Sequence, residues 1–221
     1  MTLVGKATNS IHQMILNKEY NANGFLPCEG DLCEILQVSR STIREAVKEM
    51  EVRGYIRRIH GKGILVTDNS VAALEQTFSD VMLVESCSLD DLIELRMSIE
   101  CSAVQKACGK ASVEDLDRMK QCVEKMQNAT VIDDAYIQAD LSFHIAMVDA
   151  SKNNFFSTIV KAYQPLIEDT VKAASICDYV IEKKHHYHRD IFQAICNHDS
   201  QKAVKCMRVH LLATEENTHN H

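Results

Sequence analysis

Ser39-Arg40-Ser41-Thr42-Ile43-Arg44-Glu45-Ala46-Val47-Lys48 decides how the rest of the chain is read. In a helix, Arg40, Arg44 and Lys48 fall at i, i+4 and i+8 and form one cationic stripe, while Ile43, Val47 and Met50 line an apolar stripe that packs the helix onto a domain. Ser39 is a good N-cap residue. Ser41 and Thr42 place hydroxyls in the first turn, where backbone N–H groups already attract phosphate. Taken alone, the stripe fits a solvated basic face on a surface helix as well as it fits a helix that lies against DNA. Its neighbours decide between the two.

Upstream, Ile11, Met14 and Ile15 predict a first amphipathic helix. It stops near Asn21 to Pro27, because Asn21-Ala22-Asn23-Gly24 is turn chemistry and proline cannot continue a helix. Glu29 to Leu36 predicts a second helix with Leu32, Ile35 and Leu36 inward. Gln37-Val38-Ser39 is then the short turn of a helix-turn-helix whose second helix enters the major groove. Downstream, Gly54 ends the basic helix, and Tyr55-Ile56-Arg57-Arg58-Ile59 alternates apolar with basic residues. His60-Gly61-Lys62-Gly63 is a tight turn and Ile64-Leu65-Val66 a second strand, which together predict a two-stranded wing with a basic tip.

These elements resemble the winged helix-turn-helix of the GntR family of bacterial transcription regulators over residues 8–67. Leu26-Pro27-x-Glu29-x-x-Leu32, Val38-Ser39-Arg40-x-Thr42-x-Arg44-Glu45-Ala46, Gly54 and Gly61-x-Gly63 carry the resemblance. It implies that Arg40 and Arg44 contact bases or phosphates of an operator, that Thr42 contacts phosphate, and that His60 and Gly61 reach the minor groove. Ser41, Lys48 and Lys62 complete the expected DNA-facing set. One departure matters: the family usually places a basic residue after this glutamate, and here it is Gly30.

The overall charge of −7 does not argue against nucleic acid, because it is unevenly spread. Residues 1–68 hold 9 Lys and Arg against 8 Asp and Glu, a net +1, and the remainder carries −8. A DNA reader needs a local basic surface rather than a basic protein, although weak nonspecific binding is expected. The 221 residues suffice for two domains. The boundaries are placed at 1–68 for the reader, 69–78 for a linker or the start of the first bundle helix, and 79–221 for an all-helical domain. No signal peptide opens the chain and no apolar run approaches the roughly 20 residues of a membrane span, so a soluble, cytoplasmic protein is expected. The 9 cysteines include no Cys-x-x-Cys pair and suit reduced, mostly buried thiols.

Beyond Asp68 the periodicity predicts helices at 70–85, 88–108, 112–128, 132–150, 153–176, 179–196 and 199–216, with Pro165 kinking or starting one of them. The fold class is therefore mainly α, a winged helix-turn-helix with a small β-wing followed by a helical bundle. Polar residues interrupt the apolar faces at a few positions. Asp140 and His144 lie four apart on one helix, and His188 and His210 sit in apolar frames on two later helices. One aspartate and three histidines can supply an N₃O shell for a divalent transition metal, with room for water or an effector carboxylate. Ten histidines also give chance pairs, and a lone inward histidine is usually a satisfied core residue.

Residues 89–213 resemble the FCD ligand-binding domain of the FadR branch of the GntR family. The resemblance rests on Asp91-Leu92-x-Glu94-Leu95-Arg96-x-x-x-Glu100, Asp140-x-x-Phe143-His144-x-x-x-Val148-x-Ala150-Ser151-x-Asn153, and His188-x-x-Ile191-x-x-Ala194-Ile195 followed by His210. It implies that Asp140, His144, His188 and His210 hold a metal, zinc first and nickel or manganese as alternatives. It also implies a small carboxylate effector. Arg96 is the candidate anchor because a guanidinium matches a carboxylate in a fork, with Glu100 placed beside it at the effector site. The alternative for Arg96 is a salt bridge to Glu100 or another acid. Lys152 stands where the family has glycine, which should affect a helix end. His185 and His186 are turned away from His188 by helical geometry, and His219 and His221 belong to a frayed tail. The resulting expectation is a homodimeric, metabolite-responsive regulator, a repressor, on a palindromic operator. The other readings are a regulator for which the metal is the signal, and a metalloenzyme.

Overall fold

In the computed structural model, which describes residues 1–67, 70–174 and 181–219, the chain divides into two units, Met1–Gln76 and Thr77–His221. In the first, α1 (Leu3–Leu16) buries Ala7, Ile11 and Met14. The turn after it is built by Asn21, whose side-chain oxygen accepts from the backbone N–H of Asn23 and of Phe25, with Gly24 at a φ of 81°. A cysteine caps α2 (Glu29–Leu36): the Cys28 sulfur accepts from the Asp31 N–H, and the Asp31 carboxylate accepts from the Cys28 N–H. Gln37, left-handed at φ 52°, ends α2 and turns the chain into α3 (Arg40–Val52). There the Ser39 hydroxyl accepts from the Thr42 N–H at 3.2 Å. Ile43, Ala46, Val47 and Met50 are completely buried, as the apolar stripe requires.

The two strands of the wing, β1 (Ile56–Ile59) and β2 (Gly63–Val66), pair antiparallel from Ile56 opposite Val66 to Ile59 opposite Gly63. The turn between them leaves His60, Gly61 and Lys62 exposed. A tie that periodicity did not suggest joins the Asn21 turn to this wing: Phe25 bridges Leu65, and the Leu26 N–H donates to the Ile64 carbonyl at 2.9 Å. One inward assignment is corrected. Ile35 is 56% exposed, because on this short helix Leu32 and Leu36, four apart, take the inner face.

The second unit is all helical among the described residues. It contains most of α4 (Ser70–Val84), then α5 (Leu89–Lys110), α6 (Val113–Asn128), α7 (Asp134–Ala150), α8 (Asn154–Ala174), α9 (Ile181–Cys196) and α10 (Ser200–His219). Ser88 and Ser112 open α5 and α6 with matching capping boxes to Asp91 and Asp115. α5 packs against α10 and α7, α6 against α7 and α9, and α8 against α7. The shared core includes Val104, Met119, Phe143, Met147, Tyr163, Ile191 and Met207. Pro165 starts no helix: α8 begins at Asn154 and continues through it. One missing N–H bond is tolerated there because Val160, Ala162, Tyr163 and Ile167 anchor the flanking turns in the core.

Lys152 does act at a helix end, as its departure from glycine suggested. It follows α7 at a left-handed φ of 56°, and its ammonium group bonds the Asp115 carboxylate. The ion pair offsets part of the strain that a residue with a Cβ meets in this conformation. Of the described cysteines, Cys101 and Cys108 are buried, Cys28 and Cys196 are exposed, and the others are half-buried. The expectation of mostly buried thiols therefore holds only for the α5 pair.

Candidate metal centre and nucleic-acid interface

Three helices of the second unit converge at one point. α7 brings Asp140 and His144 on successive turns, α9 brings His188 and α10 brings His210. All four side chains are buried, and one donor atom from each lies within 4.8 Å of the others. His144 Nε2 stands 3.0 Å from His210 Nε2 and 3.4 Å from His188 Nε2, and His188 Nε2 is 3.0 Å from Asp140 Oδ1. Imidazole nitrogens facing one another this closely repel unless a proton or a cation lies among them. Three imidazoles and one carboxylate are also the donor set that zinc and its divalent neighbours take. The residues present therefore fit a metal.

The electrostatics favour the metal-ready forms. Burial opposes ionisation of Asp140, but His188 and the other two imidazoles overcome this and hold its carboxyl well below the usual range. Burial, reinforced by His188 and His144, drives His210 well below the usual histidine value, towards the neutral ring that a metal requires. The rings are oriented by different means. His144 Nδ1 faces Glu100 Oε2 at 2.5 Å. His188 Nδ1 is buried without a hydrogen-bond partner among the described residues, and its ring is set edge-on against Phe143, with centroids 5.0 Å apart.

Behind His144 lies a second buried cluster. Glu100 Oε1 accepts from Arg96 Nε at 2.7 Å and from the Tyr163 hydroxyl at 2.9 Å. Burial again opposes ionisation of Glu100, and Arg96 and His144 outweigh it, so its carboxyl too is held well below the usual range. The ion-pair alternative for Arg96 is thus the one the geometry realises. Glu100 is fully enclosed with both oxygens engaged, which leaves it no group to offer an effector in this arrangement.

In the first unit, Arg40, Ser41, Arg44 and Lys48 are exposed along α3, and Thr42 is half-buried. The Ser39 hydroxyl lies 2.9 Å from that of Ser41 and 2.8 Å from that of Thr42, so three hydroxyls gather at the helix N-terminus. Arg44, 67% exposed, is held by Glu29, whose Oε2 accepts from its Nε at 3.0 Å. Arg58 in the wing is tied to Glu51 through both its backbone N–H and its guanidinium, whereas Arg57 is exposed.

Residues 3–66 match the gntR family of bacterial regulatory proteins, and residues 91–213 match the FCD domain. The chain belongs to the GntR regulators that carry an FCD domain. Among curated relatives of this GntR regulator, LutR of Bacillus subtilis is 25% identical over 209 residues, covering 92% of this chain and 95% of its own. YcbG of the same organism is 28% identical over 219 residues, covering 95% and 87%. The putative L-lactate dehydrogenase operon regulatory protein of Escherichia coli is 26% identical over 219 residues, covering 95% and 83%. A solved Streptococcus agalactiae GntR structure shares the fold, with a TM-score of 0.80 at 22% identity over 95% of this chain and 97% of that one. The family and these relatives are regulators, so the metalloenzyme reading is set aside.

All four residues singled out in the GntR regulator's sequence for a metal, Asp140, His144, His188 and His210, do meet. His186 is exposed, away from them, while the side chains of His185 and His219 and all of His221 lie outside the described residues. Tyr163 and the bond from Glu100 to His144 were not legible. Tyr163 sits in an ordinary apolar frame on α8, and the pairing of residues 44 apart depends on how α5 packs on α7. The hold of Glu29 on Arg44 was missed for the same reason, although both residues belong to the quoted motifs.

Proposed function

We propose that this GntR/FCD transcription regulator is gated by a small carboxylate that binds at a metal held by Asp140, His144, His188 and His210. The observation that carries the reading is the buried convergence of those four donors, in the helical unit of a chain whose other unit is a winged helix-turn-helix. Zinc is the proposed ion, and nickel or manganese would accept the same N₃O set. A bound ion would act as a Lewis acid towards an effector carboxylate, and the protein residues do the rest. Asp140 and the imidazoles fix the ion in a water-poor pocket, and burial makes each contact count for more. Arg96, whose Nε–H is committed to Glu100, is the proposed further anchor, since a guanidinium carries four more N–H donors. A relative named for a lactate dehydrogenase operon makes short hydroxy acids the first effectors to try, because a carboxylate with a neighbouring hydroxyl can chelate a metal.

On the DNA side, Arg40, Arg44 and Lys48 are assigned to the major groove. Ser41 and Thr42 are assigned to phosphates at the α3 N-terminus, and His60, Gly61 and Lys62 to the minor groove. One recognition helix spans only a few base pairs, so we assign a homodimer on a palindrome. No helix among the described residues is long and apolar enough to cross a membrane, which fits the assigned cytoplasmic location. Repression is the sign we assign. Selection of sites from random duplex DNA by the metal-loaded protein, with Arg40→Ala/Arg44→Ala as control, tests the reading: a palindrome enriched by the wild type alone is expected. Transcription from that site should fall with protein and recover with acid. A protein that responds to metal alone and to no acid would instead be a metal sensor.

A further inference from the structure

We infer that Glu100 is the positioning residue of the metal centre: clamped by Arg96 and Tyr163, it fixes His144 in the tautomer that turns a lone pair towards the ion. This rests on the metal reading of the four-donor site. Oε1 is taken by two donors, Arg96 Nε at 2.7 Å and the Tyr163 hydroxyl at 2.9 Å, and among the described residues Oε2 faces His144 Nδ1, at 2.5 Å. A carboxylate paired with a guanidinium accepts and does not donate, so the proton of this short contact belongs to His144 Nδ1. A neutral imidazole has a single N–H, so His144 Nε2 is then bare, and it is the atom that faces His210 and His188.

The clamp has the design expected of an outer shell. Its members come from α5, which supplies Arg96 and Glu100, and from α8, which supplies Tyr163, and neither helix contributes any of the four ligands. Both side chains of the Arg96–Glu100 pair are almost fully enclosed, at 4% and 0% exposure, so water does not compete for the acceptor. Arg96 also balances the charge of Glu100, and the carboxylate orients the ring without adding net negative charge to the centre. His188 differs, its Nδ1 being unpartnered among the described residues, whereas the His144 ring is fixed by hydrogen bonding in advance of any ion.

Metal-free, full-length protein labelled with ¹⁵N-histidine tests this directly, by long-range ¹H–¹⁵N correlation assigned through His144→Gln. His144 is expected as the Nδ1–H tautomer; an Nε2–H tautomer in the folded wild type overturns the inference. Glu100→Gln should bind Zn²⁺ about 10–100-fold more weakly in competition with a chromophoric chelator. Unchanged affinity in a folded variant overturns the positioning role. Should Glu100→Gln fail to fold, Tyr163→Phe removes one clamp without removing a charge. It is expected to weaken Zn²⁺ binding by a smaller factor, and wild-type affinity there counts against the clamp. A wild type that shows the expected tautomer yet holds no Zn²⁺ overturns the metal reading itself and the positioning role with it, a pattern distinct from the failures above.

Discussion

Arg44 shows how much a single side chain depends on its partner. In the free protein its guanidinium leans on Glu29 and remains mostly exposed. An exposed pair of this kind is worth little to stability, so Arg44→Ala should leave the melting temperature within error. Operator affinity should fall by about 1–3 kcal/mol, roughly 5- to 150-fold. A fluorescence titration on the selected operator checks this, and unchanged affinity would remove Arg44 from the reading face. At this scale the sequence was partly legible. The stripe of Arg40, Arg44 and Lys48 and the four candidate metal donors could be placed from spacing and resemblance. Glu29 against Arg44 and Glu100 against His144 could not, because each joins two helices whose relative packing no local pattern encodes.

The helices themselves were the most legible part, because each long apolar repeat and each serine cap is a local signal. The helices expected at 88–108 and 112–128 open at Ser88 and Ser112, which close capping boxes in the structure. The misreading of Ile35 also has a local cause, since it lies at the edge of a helix too short to bury a third apolar residue, and of the two readings of Pro165 only the helix start is excluded, because α8 runs through it. Two outcomes are expected for elements. Asp115 joins the start of α6 to the end of α7 through Lys152 and to Arg118 within α6. Burial opposes its ionisation, but Lys152, the Ser112 N–H and Arg118 prevail and hold its carboxyl well below the usual range. A carboxyl depressed in the folded state stabilises above its unfolded value near 3.9, and that contribution is lost as the pH falls towards the folded one. Asp115→Asn should therefore cost about 1–2 kcal/mol at neutral pH, and the difference between denaturant melts of mutant and wild type should begin to shrink near pH 4 and keep shrinking as the pH falls further. An undiminished difference in acid would assign the loss to packing instead.

Gly30 on α2 offers the opposite test, an added contact. Its backbone needs no glycine, and a Cβ there would meet only the Cys28 sulfur at an ordinary 3.6 Å. Gly30→Lys should stabilise α2 by up to about 1 kcal/mol, since glycine is a poor helix former. If α2 lies along the DNA backbone, operator binding should tighten, and the log–log salt slope should steepen by about 1. An unchanged slope would place that side chain away from phosphate.

For the whole molecule, the uneven charge is consistent with a division of labour: net +1 over residues 1–68 and −8 over residues 69–221, where the buried Asp140, His144, His188 and His210 meet. His188→Ala/His210→Ala should abolish Zn²⁺ retention. In the wild type a chelator should lower the melting of the helical unit while operator binding without effector persists, since the ion stabilises only the state that holds it. Full metal content in the double variant would put the ligands elsewhere. Occupancy of the helical unit is proposed to set how well the reader holds DNA, which requires the effector to bind the two states unequally. The most direct measurement is the operator affinity of metal-loaded protein with and without a saturating acid shown to bind it, run in parallel on His188→Ala/His210→Ala. A 5- to 150-fold change in the wild type and none in the variant is expected; equal affinities in the wild type, with the acid demonstrably bound, would contradict the account.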